Sequence, residues 1–302
     1  MFKFVRKFTA ASLLALPFLL GTTALAQTAT PLPDAEPAMW VVKDQDTTIY
    51  LFGTFHALDG KRNWFNDEVR DAFDASHEVV LEIITPDNPA DMRPALMKHA
   101  VTPANEPTLT SKLSPEGRTR LAAVLAKNKM PPVALDRFRP FFASVTLASL
   151  QFGAMGMNPE QGAEAVIRRA MKGGTKQLGA VETLDEQFAL LNALPEAEQV
   201  RLLEAALKED GSMIKEITAM LDAWNSGDAK AVAKAIQQSD KDSPSLYKLM
   251  FTERNARWAQ WVDRRLDKPG TVFMAVGAGH LAGDRSLVTL LKKDGHQVSR
   301  VQ

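Results

Sequence analysis

Two matching stretches near opposite ends of the chain constrain its fold more than anything else in the sequence. Residues 48–58 read TIYLFGTFHAL and residues 271–283 read TVFMAVGAGHLAG. In each, an apolar run stops at Gly-x-x-His: Gly53-Thr54-Phe55-His56 in the first, Gly277-Ala278-Gly279-His280 in the second. Apolar runs bounded by turn residues read as strands buried on both faces. Any fold that satisfies both must bring two strand ends together, each carrying an imidazole. A turn built on glycine also lets a ligand or a neighbouring backbone approach closely.

Residues 39–42 and 48–52 read as a hairpin around the polar turn 43–46. A short helix is expected over 67–75, with Val69, Ala72 and Phe73 at helical spacing. Residues 78–84, EVVLEII, read as a strand interrupted by Glu82. A buried carboxylate without a partner is costly, so Glu82 needs a cation, a hydrogen-bond donor or a metal. Helices follow with proline punctuation, clearest at 89–100, 114–129 and 141–152, with a further helix at 162–172. Residues 176–181 read as another strand, and Glu182 comes directly after it. Residues 184–194, 195–224, 229–237 and 245–266 are expected to be helical, the last holding Arg254, Asn255 and Trp258. The second histidine strand, a helix over 285–294 and a closing strand over 297–301 complete the chain.

Strand ends at His56, Glu82, Glu182 and His280, separated by helices, indicate an α/β (α+β) protein with a central, mainly parallel sheet. Parallel neighbours require crossover connections, and ligands of such sheets bind beyond the carboxyl ends of the strands. All four polar residues fall on that edge. Residues 39–302 read as one domain, with helical insertions about 86–174 and 184–268 expected to form a lid over the edge.

The first residues stand apart. Lys3, Arg6 and Lys7 precede an apolar run over 10–20, and Ala24-Leu25-Ala26 has the small-x-small form of a cleavage site. Residues 1–26 are therefore read as a signal peptide and 27–38, with three prolines, as an extended leader. Pro17, Gly21, Thr22 and Thr23 interrupt the run short of the ~20 apolar residues that a membrane span needs. Formal charge is zero over the whole chain, and losing the three basic residues leaves it mildly acidic. It has no basic face for nucleic acid or anionic lipid. Cysteine is absent, which excludes thiol nucleophiles and thiolate metal sites. A periplasmic or secreted location fits.

Two histidines and one or two glutamates from separate strand ends make a mixed nitrogen and oxygen donor set, suited to Zn, Mn, Fe or Co. A divalent metal ion there acidifies a bound water while a carboxylate takes its proton, the logic of metal-assisted hydrolysis. The competing reading of Glu82 is an ion pair with an arginine such as Arg254, and that of Glu182 is a cap on the following helix. His77, His99 and His296 are expected at the surface. No Gly-x-Ser-x-Gly elbow is present for a serine hydrolase. Gly277-Ala278-Gly279 lacks the third glycine of a dinucleotide fingerprint.

Trp40-Val41-Val42 leading to Gly53-Thr54-Phe55-His56, then Val80-Leu81-Glu82, Glu182-Thr183-Leu184-Asp185-Glu186-Gln187, Arg254-Asn255 and Gly277-Ala278-Gly279-His280 resemble, in order and spacing, the TraB/GumN family. This is a group of exported or membrane-associated proteins related to the Tiki metalloproteases. The resemblance implies a divalent-metal-dependent hydrolase or peptidase whose centre falls here on His56, His280 and Glu82. Glu182, Arg254 and Asn255 would be further polar members. Gly162-Ala163-Glu164 stands where relatives often read Gly-Ile-Asp, so Glu164 would take the place of an aspartate. The expected activity is peptide-bond hydrolysis, with Glu182 or Glu164 as base or fourth ligand and Arg254 on a substrate carboxylate or developing oxyanion. The alternative is a non-catalytic envelope protein that binds a peptide or polysaccharide fragment in the same pocket.

Overall fold

Apolar runs that end at glycine become buried strands when neighbours cover both faces, and helices cover both faces of this sheet. The computed structural model describes residues 31–208 and 211–302. It contains β1 (Met39–Lys43), β2 (Thr47–Thr54), β3 (Glu78–Leu81), β4 (Gln177–Ala180), β5 (Gly270–Gly277) and β6 (Val298–Arg300). They form one six-stranded sheet in the order β4-β3-β5-β2-β1-β6. The pairs β4/β3, β3/β5 and β5/β2 are parallel, while β1 runs antiparallel to β2 and β6. The class expected from the sequence is the class observed.

Register brings the site to one edge. Thr54 of β2 lies level with Gly277 of β5, and Leu81 of β3 pairs with Ala275 on one side and Ala180 on the other. The segments that follow β2, β3, β4 and β5 therefore all emerge on the same side of the molecule. On one face Leu51, Val80 and Met274 pack against Trp258, Val262 and Leu291. On the other, Phe52, Phe273 and Ala275 pack against Val69, Phe73 and Ile167. Phe273 is fully buried, with ring centroids 5.6 Å from Phe52 and 5.8 Å from Phe73. The helical insertions hold a separate apolar cluster in which Leu121 and Leu125 meet Leu147 and Leu203.

Several boundaries differ from those expected. β3 stops at Leu81, one residue before Glu82, whose side chain turns to partners outside the strand ladder. The helical stretch expected over 195–224 is two helices, Glu196–Ala206 and Ser212–Asn225, the second preceded by Gly211 at φ 74°. A residue with a Cβ rarely adopts that angle. The stretch expected over 245–266 contains one turn of π-helix, Lys248–Thr252, between Pro244–Tyr247 and Glu253–Leu266. The leader is docked where it is described: Ala35 and Glu36 donate backbone N–H groups to Asn63 and Asn225, and Asp34 accepts from Asn63 and Asn66. The expected signal segment lies outside the described residues. Among the described residues, no helix is long and apolar enough to cross a membrane.

Candidate active site

Gly277 is the floor of the site. A Cβ on it would stand 3.1 Å from Glu82 Oε1, 3.6 Å from His280 Cδ2 and 3.7 Å from His56 Cε1. The two imidazoles and the carboxylate thus border one point, which a side chain on Gly277 would fill. The backbone N–H of Gly277 donates to Glu82 Oε1 at 2.7 Å. The ends of both Gly-x-x-His motifs and Glu82 therefore lie around Gly277.

His280 closes a short 3-10 turn, Ala278–His280, that folds the residue back under the sheet edge, where it is 4 % exposed. Its ring lies between Trp258, at 4.3 Å between centroids, and Phe251, at 4.9 Å. Asn255 Nδ2 donates to the Arg285 carbonyl at 2.8 Å, which turns Asn255 Oδ1 toward His280 Nδ1 at 2.7 Å. Nδ1 therefore carries the proton. Arg254 Nη1, a donor in every state, lies 3.1 Å from Nε2, so Nε2 accepts. Burial lowers the pKa of this imidazole to about 3, and Arg254 adds to the effect. The ring is neutral, with one lone pair on Nε2.

Arg254 is the hub of the buried half. Its Nε donates to both oxygens of Glu182 at 3.0 Å, and its Nη2 donates to Glu82 Oε2 at 2.6 Å and lies 2.9 Å from Glu182 Oε2. Nη1 reaches the Met250 carbonyl at 3.3 Å as well as His280. Every guanidinium nitrogen faces a protein acceptor, and the residue is 2 % exposed. The role expected for it, gripping a substrate carboxylate or an oxyanion, has no free N–H in this arrangement. Glu182 is equally committed, accepting also from Arg257 Nη2 at 3.0 Å and Trp258 Nε1 at 3.2 Å. It does not cap the next helix, because Thr183 and Glu186 form a reciprocal capping box there. Burial pushes the Glu82 carboxyl up, but Arg254, the protonated His56 and the Gly277 N–H oppose it and hold it down at about 2. The ion pair expected as the competing reading of Glu82 is present.

His56 is built differently. Gly162 stands so close to the end of β2 that a Cβ would meet the His56 carbonyl oxygen at 2.1 Å. That approach lets Ala163 N–H bond to the Phe55 carbonyl at 3.0 Å and sets the helix Ala163–Met171 beside the motif. Glu164, in its first turn, accepts from His56 Nδ1 at 2.7 Å and from Thr54 Oγ1 at 2.5 Å. The His56 side chain is 71 % exposed, and the Glu164 carboxylate raises its pKa above the ordinary imidazole value. Trp224 Nε1 donates to the Gly53 carbonyl at 2.7 Å and fixes the start of the turn.

Some contributors were not read from the sequence. Gln187 Nε2, inside the Glu182–Gln187 motif, lies 3.4 Å from Glu82 Oε2. Thr54, Trp224 and Phe251 gave no separate signal, since each looks like an ordinary strand or helix residue. His99, expected at the surface, is 8 % exposed and pairs with Asp185 at 2.8 Å, because its helix packs on Leu184–Leu191. His77 is exposed and His296 half-buried.

The residues fit a divalent metal in kind. His56 and His280 each have Nδ1 held by an oxygen acceptor, the arrangement that fixes the tautomer and orientation of ligating imidazoles, and each retains Nε2 as its second nitrogen. Glu82 adds oxygen, and nitrogen with oxygen suits the borderline metals. Arg254 already supplies positive charge between Glu82 and His280. Among the described residues, no group of three or more His, Asp or Glu side chains is placed to hold a metal ion. The donors fit provided that the guanidinium gives up the His280 lone pair.

Fold and site together define a mixed α/β protein with a histidine, carboxylate and guanidinium centre at the carboxyl edge of its sheet. The chain belongs to the TraB/PrgY/gumN family, whose pattern matches residues 38–300. It is 25 % identical to an uncharacterized protein of Treponema pallidum (strain Nichols) over 93 % of this chain and 88 % of the relative. It is 26 % identical to a Metalloprotease TIKI homolog of Nematostella vectensis, covering 90 % and 69 %, and 24 % identical to Metalloprotease TIKI1 of Danio rerio, covering 92 % and 66 %. No solved structure gives a significant match.

Proposed function

We propose that this chain is an exported metal-dependent hydrolase acting on peptide bonds, with the metal held by His56, His280 and Glu82. One observation carries the reading: both imidazoles and the carboxylate border Gly277 at the sheet edge where α/β proteins bind ligands. The relatives named as TIKI metalloproteases support the reaction class. Zn, Mn, Fe or Co suits the donors. When bound, such an ion supplies a Lewis acid and an acidified water.

The chain's own residues do the remaining work. Asn255 holds the proton at His280 Nδ1 and leaves Nε2 as its lone-pair nitrogen, whereas Glu164 holds His56 Nδ1–H and favours the doubly protonated ring, so His56 gives up its Nε2 proton when it ligates. The Gly277 N–H keeps Glu82 Oε1 at the floor of the site. Trp258 and Phe251 exclude water from the His280 face. Arg254 and Arg257 hold Glu182 as a buried anion that anchors the cluster, and Glu164 remains the carboxylate nearest the exposed side.

The test is metal content and cleavage of a peptide library by purified protein, beside His56→Ala and His280→Ala. Wild type should hold a divalent ion and cleave, and both variants should lose the two properties together. Cleavage by metal-free protein that survives both substitutions would falsify the proposal. Peptide-dependent thermal stabilisation without turnover would point instead to a binding protein.

A further inference from the structure

Resting on that reading, we infer that Arg254 is a resident competitor for the metal, holding the His280 and Glu82 donors until a divalent ion displaces it, with Glu182 as the anchor that receives it. A neutral imidazole has one lone pair on its unprotonated nitrogen. In His280 that nitrogen is Nε2, and Arg254 Nη1 lies on it at 3.1 Å. A metal and this N–H cannot share the same lone pair. Glu82 Oε1, 3.9 Å from Nε2, is the other donor beside the contested position, and Arg254 Nη2 is already bound to the second oxygen of that carboxylate. The guanidinium therefore occupies the position between two donors that a cation would take.

The arrangement also contains somewhere for the guanidinium to stay. Its Nε and Nη2 reach Glu182 independently of Glu82 and His280. If Nη1 releases His280 and Nη2 releases Glu82, the pair with Glu182 persists and no buried carboxylate loses its counter-charge. Glu182 is held in place for this by Arg257 and Trp258. The turn immediately before Arg254 is the π-helical Lys248–Thr252, in which Glu253 N–H reaches back to the Lys248 carbonyl. Wide turns of this kind recur at functional sites. This one carries Met250, whose carbonyl accepts from Nη1, and Phe251, which packs on His280. Thr252 Oγ1 is buried there without a partner.

The consequence is a metal affinity lower than the donors alone would give, because binding draws only on the population in which Arg254 has let go. Two substitutions move it in opposite directions. Arg254→Lys keeps the charge near Glu182 but cannot span both carboxylates and His280, so it frees Nε2. Glu182→Gln removes the receiving anion and ties Arg254 more firmly to Glu82.

The experiment is calorimetric titration of the full exported chain with Zn²⁺ and with Mn²⁺, in wild type, Arg254→Lys, Glu182→Gln and His280→Ala, with thermal unfolding recorded for each. Arg254→Lys should bind about tenfold more tightly than wild type, and Glu182→Gln several-fold more weakly. His280→Ala should bind neither ion. Equal affinity in wild type and both charge-cluster variants, abolished by His280→Ala, overturns the competition and leaves the metal centre standing. No binding in wild type or in Arg254→Lys overturns the metal centre, and the competition with it. If Arg254→Lys does not fold, Glu182→Gln decides alone, since unchanged affinity there contradicts a receiving role for Glu182.

Discussion

His56 and His280 end the same Gly-x-x-His motif on adjacent parallel strands, yet they occupy opposite environments. The His280 imidazole is buried between two aromatic rings, neutral, and bonded to an amide and a guanidinium. The His56 imidazole is largely exposed, bonded to a carboxylate, and biased toward its protonated form. What docks against each turn makes the difference. After β5 a 3-10 turn drops the side chain against the helix Glu253–Leu266. After β2 the chain bends at His56 without a helical turn, and the start of Ala163–Met171 approaches through Gly162. A motif specifies that a histidine arrives at an edge, while its protonation and rigidity come from residues far away in sequence.

The contrast predicts a gradient of effects. Arg254→Ala should be the most damaging change, since it leaves Glu82 and Glu182 buried without their shared cation. Breaking a buried pair in this way costs about 3–5 kcal/mol, read from denaturant unfolding. His280→Ala should follow at about 2–3 kcal/mol, from a lost packed ring and two stranded hydrogen-bond partners. A loss as small as that of His56→Ala would break the comparison.

Acid should act on the buried half next. The carboxyl of Glu82 is lowered from 4.5 to about 2, so its ionisation contributes stability that is present above pH 4.5 and is lost as pH falls toward 2. Glu82→Gln should show a flatter decline over that interval than wild type. On the exposed half, Glu164→Gln should return the His56 imidazole toward its ordinary value of 6.5, read by proton NMR on metal-free protein. His56→Ala should shift stability least, within about 1 kcal/mol, because solvent already surrounds the ring.

Much of the fold and part of the site were legible. The apolar runs before Gly53 and Gly277 identified β2 and β5, and Glu82 stood out because an acid interrupted an apolar strand. Periodicity alone carried the helix Asp67–Ala75 to its observed bounds. The division of labour among the acids was not legible, because it depends on which cation each one meets. Glu182 looked like a helix cap, but Thr183 with Glu186 takes that role and frees Glu182 for Arg254. The π-helical turn before Arg254 leaves no mark in hydrophobic spacing, since the carboxylates that hold Arg254 come from the segments just after β3 and β4. His99 looked solvated because it falls at the end of its helix, yet tertiary packing buries it beside Phe188.

The proposed centre joins two unlike histidines. Equilibrium titration of the full chain with Zn²⁺ and Mn²⁺, repeated on His56→Ala and His280→Ala, tests it most directly. The account predicts about one bound ion per chain, with affinity lost in both variants despite their very different effects on stability. Binding that survives either substitution, or none in wild type, would contradict it.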